Sequence, residues 1–403
     1  MSLLDEMDKP ASWQKFYDYK CGLACAGRFV RVLEEYISEE RYLDVCAKVA
    51  RDGRLSLPHR SVISKMSSQK KRVVYTYPDD ENIYLKRLTH LLLRRYDHLF
   101  CKNLYSFRPD RTVKDAVRYL RSVPGIEQMY SYKVDISNYF NSIPIERLVP
   151  VLKEALSDDP KLSEFLTTLL EEPCVIDNGK VVADTKGIMA GTPQASFMAN
   201  LYLKDLDRYF YDRGIPYARY SDDIIVFAGT REEIDQHASF IRGFLASSGL
   251  AVNPAKEMFG TPSDGWIFLG FCCRGKEVDI APASVAKIKA KMRRKTRALK
   301  RWSARKGESS ERAASAFIRV FNRKLYDSGE DNDLLSDNEL TWSKWYFPVI
   351  STDKSLKEID HYAQECVRYL LSGTRGKSRY RVKYDDMKKL GLKSLVNSYY
   401  AGQ

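Results

Sequence analysis

The sequence predicts an α+β protein, because short hairpin patterns alternate with helical stretches along its 403 residues. Residues 174–182 and 217–228 each have the pattern of two strands joined by a tight turn, and the first carries Asn-Gly at its turn. Residues 266–280 are expected to form another hairpin, whereas 195–212 and 231–248 have the apolar spacing of helices. A hydrophobic fraction of 44% is sufficient for these elements to bury a sizeable core.

The remaining elements follow from the same patterns. Residues 11–50 are expected to be helical, a polar break follows at 51–60, and 67–78 has the pattern of a basic turn that runs into a strand. Asp79 or Asp80 is expected to cap a long amphipathic helix. A further strand is expected at 128–136, and further helices at 146–157, at 161–171 and from 282 onward.

The charge balance indicates a polyanionic partner. Lys and Arg total 66 and Asp and Glu total 53, so the net charge is +13, which favours nucleic acid or an anionic membrane surface. No run approaches the ~18 to 20 uncharged apolar residues of a spanning helix, so no membrane partner is expected. The N-terminus opens with acidic residues and lacks an apolar core, and the eight cysteines form no CxxC pair. These features predict a cytoplasmic protein with reduced thiols and no secretory signal.

Residues 286–306 form the most basic segment, with eleven Lys or Arg residues and no acid. Apolar side chains keep one stripe along it, at Ile288, Met292, Leu299 and Trp302, which predicts a helix packed on one side. A surface helix normally mixes both charge signs, so we interpret the other side as a phosphate-binding face, with an ordinary solvated face as the alternative. The candidate nucleic-acid-binding residues are Arg293, Arg294, Arg297, Lys300 and Arg301.

Adjacent aspartates occur four times, and their surroundings separate them. The pairs at 79–80, 158–159 and 385–386 precede helical patterns, where capping or a turn explains them. Asp222-Asp223 instead lies between two strand-like runs, at the tip of a hairpin whose second strand is continuously apolar and therefore buried. Two adjacent carboxylates there repel each other unless a cation neutralises them, and Mg²⁺ suits such oxygen ligands.

A third acid has an equivalent position. Asp135 ends the strand predicted at 128–136, 87 residues before Asp222. Carboxylates at the ends of separate strands can converge on two ions about 3.5–4 Å apart, which promote in-line phosphoryl transfer. A metal site built from Asp135, Asp222 and Asp223 is therefore a hypothesis from spacing alone.

The segment Tyr220-Ser221-Asp222-Asp223, placed in its hairpin, resembles the catalytic turn of a reverse transcriptase. Other segments similar to motifs of that family follow in the family's order: SSQKKRVVY (67–75), LYSFRPDRTVKDAV (104–117), KVDISNYFNSIP (133–144), GIMAGTPQASFMANLYLKDLD (187–207), AVNPAKE (251–257) and WIFLGF (266–271). The resemblance implies a right-hand polymerase fold. It assigns 1–60 to an N-terminal helical extension, 61–280 to fingers and palm with an antiparallel sheet plus helices, and 281–403 to a helical thumb and C-terminal region that binds nucleic acid.

The resemblance also implies the catalytic residues. Asp135, Asp222 and Asp223 would bind two Mg²⁺ ions, and Lys256 would protonate the pyrophosphate leaving group. A primer 3′-hydroxyl would attack the α-phosphate of a dNTP, with RNA as template and DNA as product.

Residues that contact the nucleotide follow from the same resemblance. Lys71 and Arg72 would hold the incoming triphosphate, and Phe140 would exclude a ribose 2′-hydroxyl as a steric gate. Gln194 would lie near the nucleotide and the template base. Ala195 stands where many relatives have Gly, which departs from the family pattern.

The subclass is predicted from overall design. The compact chain, with no recognisable endonuclease or RNase H residues in 282–403, looks most like bacterial stand-alone reverse transcriptases associated with antiphage defence, which resemble group II intron and retron enzymes. Such an enzyme would copy an associated structured non-coding RNA. The alternatives are a retron-type or intron-derived enzyme, template-independent or protein-primed DNA synthesis, and an inactive RNA-binding protein. Phe140 argues against an RNA-templated RNA polymerase.

Overall fold

The computed structural model divides the chain into two compact units, Met1–Asp264 and Gly265–Gln403. The structure describes residues 1–23, 27–64, 71–184, 187–326 and 341–402, without the side chains of Ser64 and Lys71. The predicted boundaries at residues 60 and 280 stay predictions.

The first unit contains eight strands and eleven α-helices among its described residues. The strands are β1 (His59–Ser64), β2 (Lys71–Thr76), β3 (Tyr130–Asp135), β4 (Cys174–Asp177), β5 (Lys180–Ala183), β6 (Tyr217–Tyr220), β7 (Asp223–Ala228) and β8 (Met258–Gly260). The helices are α1 (Pro10–Cys21), α2 (Gly27–Ser38), α3 (Arg41–Asp52), α4 (Asp79–Arg95), α5 (Val113–Ser122), α6 (Tyr139–Ser142), α7 (Ile145–Ala155), α8 (Pro160–Glu171), α9 (Ala195–Tyr202), α10 (Lys204–Asp212) and α11 (Arg231–Ser247).

An antiparallel sheet with the strand order β6-β7-β3-β8 lies at the centre of this unit. Its strand β7 is apolar throughout from Ile224 to Ala228, and all five side chains are buried. The sequence therefore predicted the burial of this strand correctly. Helix α11 packs against β3 and β7.

The second sheet of the unit has the order β2-β1-β4-β5. The hairpin β4–β5 was predicted with its turn, and Asn178 and Gly179 both have positive φ angles, as a two-residue hairpin turn requires. The strand β1 was not predicted. It pairs antiparallel with β2 over its whole length and meets β4 in parallel at His59 and Ile176.

One hydrophobic core joins the helices to the central sheet. Leu88 of α4, Val134 of β3 and Phe197 of α9 are fully buried in it. The N-terminal helices contribute to the same core through Trp13 and Tyr36. Residues 1–52 are therefore packed as part of the first unit.

Three local expectations were wrong. Neither Asp79 nor Asp80 caps α4, because Pro78 occupies the capping position. Both aspartates lie in the first turn of the helix, where the helix dipole favours acids. The helix expected at 195–212 is interrupted at Leu203, where α9 ends and α10 begins. Residues 266–280 form three strands, because Leu269-Gly270 supplies an additional tight turn with positive φ at both residues.

The second unit packs helices beside that three-stranded antiparallel sheet. Its elements are β9 (Trp266–Phe268), β10 (Phe271–Arg274), β11 (Glu277–Ile280), α12 (Pro282–Lys306), α13 (Ser310–Leu325), α14 (Trp342–Tyr346), α15 (Lys354–Ser372), α16 (Tyr384–Lys389) and α17 (Leu395–Ala401). The predicted stripe of α12 is buried at Ile288, Met292 and Leu299, so this helix does pack along one side. Among the described residues no helix has both the length and the apolar character needed to cross a bilayer.

Candidate active site

The central sheet brings the three predicted carboxylates together. Asp135 at the end of β3 is the cross-strand partner of Asp223 at the start of β7. Asp222 lies in the two-residue turn between β6 and β7, and its carbonyl accepts a hydrogen bond from the Ile136 amide at 3.1 Å. Because opposite residues in an antiparallel pair are close neighbours, the three acids converge at one edge of the sheet.

Burial and mutual repulsion act on these acids. Asp135 is 5% exposed. Burial raises the pKa of Asp222, and the negative charges of Asp135 and Asp223 raise it further. Burial also raises the pKa of Asp223, where the ammonium of Lys133 at 3.4 Å acts against the shift. A cluster whose members disfavour one another's charge is stabilised by a cation.

Lys256 supplies positive charge beside the three acids. Its ammonium donates a hydrogen bond to Asp135, while its side chain is 54% exposed. Burial acts to lower the pKa of Lys256, but the hydrogen bond to Asp135 and the three carboxylate charges outweigh it and raise the pKa. The Lys256 side chain is therefore held as a cation beside the acids.

The donor set fits a divalent cation in its chemistry. Carboxylate oxygens are the ligands that Mg²⁺ prefers, and the three acids share one edge of the sheet. In this conformation no three His, Cys, Asp or Glu side chains of the described chain are gathered closely enough to hold one ion. Lys256 hydrogen-bonds to Oδ2 of Asp135, so its ammonium group competes with a metal ion for that oxygen.

The predicted nucleotide residues lie on three separate segments of the first unit. Phe140 belongs to α6 and is half-buried, and its carbonyl accepts a hydrogen bond from the Ile188 amide at 2.9 Å. Gln194 directly precedes α9 and is 6% exposed, and its Oε1 atom has no hydrogen-bond partner among the described residues. Arg72 is exposed on β2, whereas the side chain of Lys71 lies outside the described atoms.

A polar cluster beneath the turn was not predicted. Arg219 of β6 is fully buried and pairs through two nitrogens with Asp207 of α10, at 2.6 and 2.8 Å. Ser106, also fully buried, accepts a hydrogen bond from the Ser221 amide at 2.9 Å. One signal was available in the sequence, because an arginine inside a buried strand requires a partner acid.

The basic helix α12 belongs to the second unit. Arg293, Arg294, Arg297 and Arg301 are exposed and Lys300 is half-buried. None of these five side chains forms an ion pair with an acid within the described chain. Lys289 and Glu358 do form such a pair, at 2.7 Å between Nζ and Oε1. The face predicted to bind phosphates is therefore uncompensated by acidic neighbours.

A central sheet with acids at the paired ends of its strands is the arrangement expected of a nucleic-acid polymerase of the right-hand type. Residues 63–273 match the family described as reverse transcriptase (RNA-dependent DNA polymerase). The chain therefore belongs to the reverse transcriptase family, as the sequence predicted. The family match also confirms the right-hand polymerase fold.

Two curated bacterial proteins are similar to the chain. Protein YkfC from Escherichia coli strain K12 is 24% identical over 274 residues, which are 57% of this chain and 71% of YkfC. The retron Ec86 reverse transcriptase from Escherichia coli is 23% identical over 175 residues, which are 42% of this chain and 51% of the retron protein. This chain thus spans about half the length of the retron enzyme.

Two solved structures of apo telomerase from Candida tropicalis are more distant. One, truncated from the C-terminal domain, has a TM-score of 0.46 at 13% identity and covers 56% of this chain and 55% of that chain. The other has a TM-score of 0.49 at 10% identity and covers 80% of this chain and 59% of that chain.

Proposed function

We propose that this chain copies RNA into cDNA by two-metal nucleotidyl transfer from dNTPs, in the cytoplasm. The observation that carries the proposal is the convergence of Asp135, Asp222 and Asp223 at one edge of the sheet, in a chain of the reverse transcriptase family. All three acids are present, which favours an active enzyme over an RNA-binding protein that has lost synthesis.

The chemistry assigns a task to each group. Two Mg²⁺ ions, when bound by these three carboxylates, would activate the primer 3′-hydroxyl and neutralise charge on the phosphoryl oxygens. The hydroxyl oxygen forms a bond to the α-phosphorus and loses its proton to solvent water, while the bond from the α-phosphorus to pyrophosphate breaks. Lys256, whose ammonium group lies beside Asp135, donates a proton to the departing pyrophosphate in this proposal.

Nucleotide selection is assigned to the neighbouring residues. Phe140 excludes a 2′-hydroxyl. Oε1 of the buried Gln194 has no hydrogen-bond partner among the described residues, so it is an acceptor that a bound nucleotide can satisfy. Lys71 and Arg72 neutralise the triphosphate. The exposed arginines of α12 hold the template–primer duplex through its phosphates, independently of sequence.

The test of the activity is primer extension on an RNA template of known sequence, with one dNTP supplied at a time. We expect incorporation of the complementary dNTP in the presence of Mg²⁺, and none after chelation. Incorporation that ignores the template would support untemplated synthesis, and DNA bound covalently to the protein would support protein priming. RNA binding with no incorporation would overturn the proposal.

For the biological role, we propose that the template is a structured non-coding RNA and that the cDNA serves antiphage defence. A retron-type enzyme is the second candidate, supported by the similarity to the retron Ec86 reverse transcriptase. Purification from the native host, followed by sequencing of the bound RNA and cDNA, tests both. One dominant RNA with matching cDNA would support a dedicated template. A broad mixture of cellular RNAs would contradict both.

A further inference from the structure

The turn that carries Asp222 has an unusual backbone. Ser221, which precedes Asp222, has a φ angle of +60°, in the left-handed region that residues other than glycine rarely adopt. Such a conformation persists only where the surrounding structure enforces it. The contacts that enforce it therefore help to set the position of the Asp222 carboxylate.

Ser106 hydrogen-bonds directly to the backbone of the turn. Its Oγ accepts a hydrogen bond from the Ser221 amide at 2.9 Å and donates one to Oδ1 of Asn200 at 3.0 Å. The side-chain amide nitrogen of Asn200, Nδ2, donates in return to the Ser106 carbonyl at 2.7 Å. Ser106 and Asn200 are both fully buried, so water cannot replace these partners.

Arg219 supports the same turn from its other side. Its guanidinium donates to the Ser221 carbonyl at 3.2 Å and to the Asn200 carbonyl at 3.2 Å, while it pairs with Asp207. Asp207 also accepts a hydrogen bond from the Tyr217 hydroxyl at 2.9 Å. The amide and the carbonyl of Ser221 are thus both fixed by buried side chains.

The segment that carries Ser106 is itself docked on β6. The Arg219 amide donates to the Asn103 carbonyl, and the Tyr105 amide donates to the Arg219 carbonyl, both at 3.0 Å. Two backbone hydrogen bonds therefore hold residues 103–105 along the edge of β6. This docking fixes the position of the Ser106 hydroxyl relative to the turn.

We propose that Ser106 is a positioning residue for metal binding, because its hydroxyl holds the Ser221 backbone so that Asp222 stays beside Asp135. The inference rests on the proposed function, since it takes Asp222 as a metal ligand. Serine suits the position because one small group there must both accept from an amide and donate to an amide oxygen. Alanine would leave the Ser221 amide and Oδ1 of Asn200 buried without partners.

The test compares Ser106→Ala with Thr167→Val. Thr167 is a buried residue of α8 whose hydroxyl donates to the Ser163 carbonyl at 2.7 Å, so its loss removes one buried hydrogen bond away from the turn. Ser106→Cys retains a weak donor on a slightly larger side chain, and it replaces the alanine variant if that variant does not fold. Thermal unfolding measures how much stability each variant loses.

The decisive readout is the binding of Mn²⁺ to the full chain without nucleic acid, followed by electron paramagnetic resonance. We expect Ser106→Ala to weaken Mn²⁺ binding by about 10-fold or more, as loss of a group that orients a metal ligand does. Thr167→Val should bind Mn²⁺ as the wild type does. The half-saturating Mg²⁺ concentration for primer extension should rise by a similar factor in Ser106→Ala, with KM for dNTP unchanged.

The outcomes separate this inference from the proposed function. One outcome is that Asp222→Asn loses Mn²⁺ binding while Ser106→Ala and Ser106→Cys bind Mn²⁺ as the wild type does. This outcome would overturn the role of Ser106 and leave the proposed function intact. Absence of Mn²⁺ binding in the wild type would contradict the metal site of the proposed function itself. If Thr167→Val weakens Mn²⁺ binding as much as Ser106→Ala does, Ser106 contributes only to general stability and the inference is overturned.

Discussion

Replacement of Gly187 by alanine tests how the nucleotide residues are positioned. Gly187 has a φ angle of +54°, and it lies against the backbone of Phe140 and Asn141. A Cβ atom at this glycine would lie 2.4 Å from the Asn141 carbonyl carbon and 2.5 Å from the Phe140 carbonyl oxygen. Because neither is the end of a flexible side chain, the two backbone segments must separate by about 1 Å to restore ordinary contact.

The expected loss of stability has two parts. Alanine in the left-handed region costs about 1–2 kcal/mol, and overpacking against rigid neighbours costs about 1–3 kcal/mol more. Gly214 supplies the matched control, since its φ angle is +63° and a Cβ there would meet nothing within 4 Å. Gly214→Ala should therefore lose only the first part, and Gly187→Ala should lose about 2–5 kcal/mol in the free energy of unfolding.

Two assays read the consequence. Urea unfolding gives the difference in stability between the two variants. Competition between a dNTP and the matching ribonucleotide gives sugar discrimination, which should fall in Gly187→Ala because the Phe140 backbone moves, and stay unchanged in Gly214→Ala. Equal stability losses in the two variants, together with wild-type discrimination in both, would refute the reasoning.

The remaining predictions concern other parts of the chain. Asp222→Asn combined with Asp223→Asn should reduce incorporation by roughly a thousandfold and leave RNA affinity unchanged in a filter-binding assay, since these acids hold metal and not RNA. Asp207→Asn should lower the free energy of unfolding by about 3–5 kcal/mol in urea denaturation, because it leaves a buried arginine without its charge partner. Neutralising four exposed basic residues of α12 should reduce the slope of log nucleic-acid affinity against log salt concentration by about 3 to 4. An unchanged slope would show that this face of the helix is an ordinary solvated surface. Burial raises the pKa of the Cys366 thiol to about 11, so iodoacetamide should spare Cys366 in the native protein at pH 8 and modify it as the pH rises toward 11, as mass spectrometry would report.

The convergence of the acids was predictable in part. Asp135 and Asp222 each follow a strand pattern, so the sequence indicated that both lie at strand ends. The pairing of Asp135 with Asp223 was not contained in the local pattern, because it joins residues 88 positions apart in the chain. The positions of these acids at strand ends made their convergence a hypothesis, and the ordered family motifs then implied a shared metal site.

Local sequence patterns could not predict the side chains that hydrogen-bond to the turn at Ser221. The hydrogen bond between Ser106 and Ser221 spans 115 positions, and nothing near Ser106 in the sequence marks its partner. The break at Leu203 was missed for a related reason, because neither Gly nor Pro occurs there and the apolar pattern continues on both sides. Tertiary packing, and not local preference, decides such features.

The assignment of Asp79 and Asp80 shows the opposite error. Aspartate favours the N-terminal capping position of a helix. Here, however, Pro78 occupies that position and the helix begins directly after it. Asp80 then forms an ion pair with Arg41 at 2.9 Å, a partner 39 positions away. A local preference was correct about the helix start and wrong about the residue that fills the capping position.

The central claim is that Asp135, Asp222 and Asp223 form one metal-dependent site for RNA-templated DNA synthesis. The most direct measurement is single-turnover incorporation of one complementary dNTP on an RNA template, by the wild type and by Asp135→Asn, over a range of Mg²⁺ concentrations. We expect Mg²⁺-dependent incorporation by the wild type and a loss of roughly a hundredfold to a thousandfold in the variant, with RNA affinity unchanged. Incorporation by Asp135→Asn at the wild-type rate and with the wild-type Mg²⁺ dependence would contradict the claim.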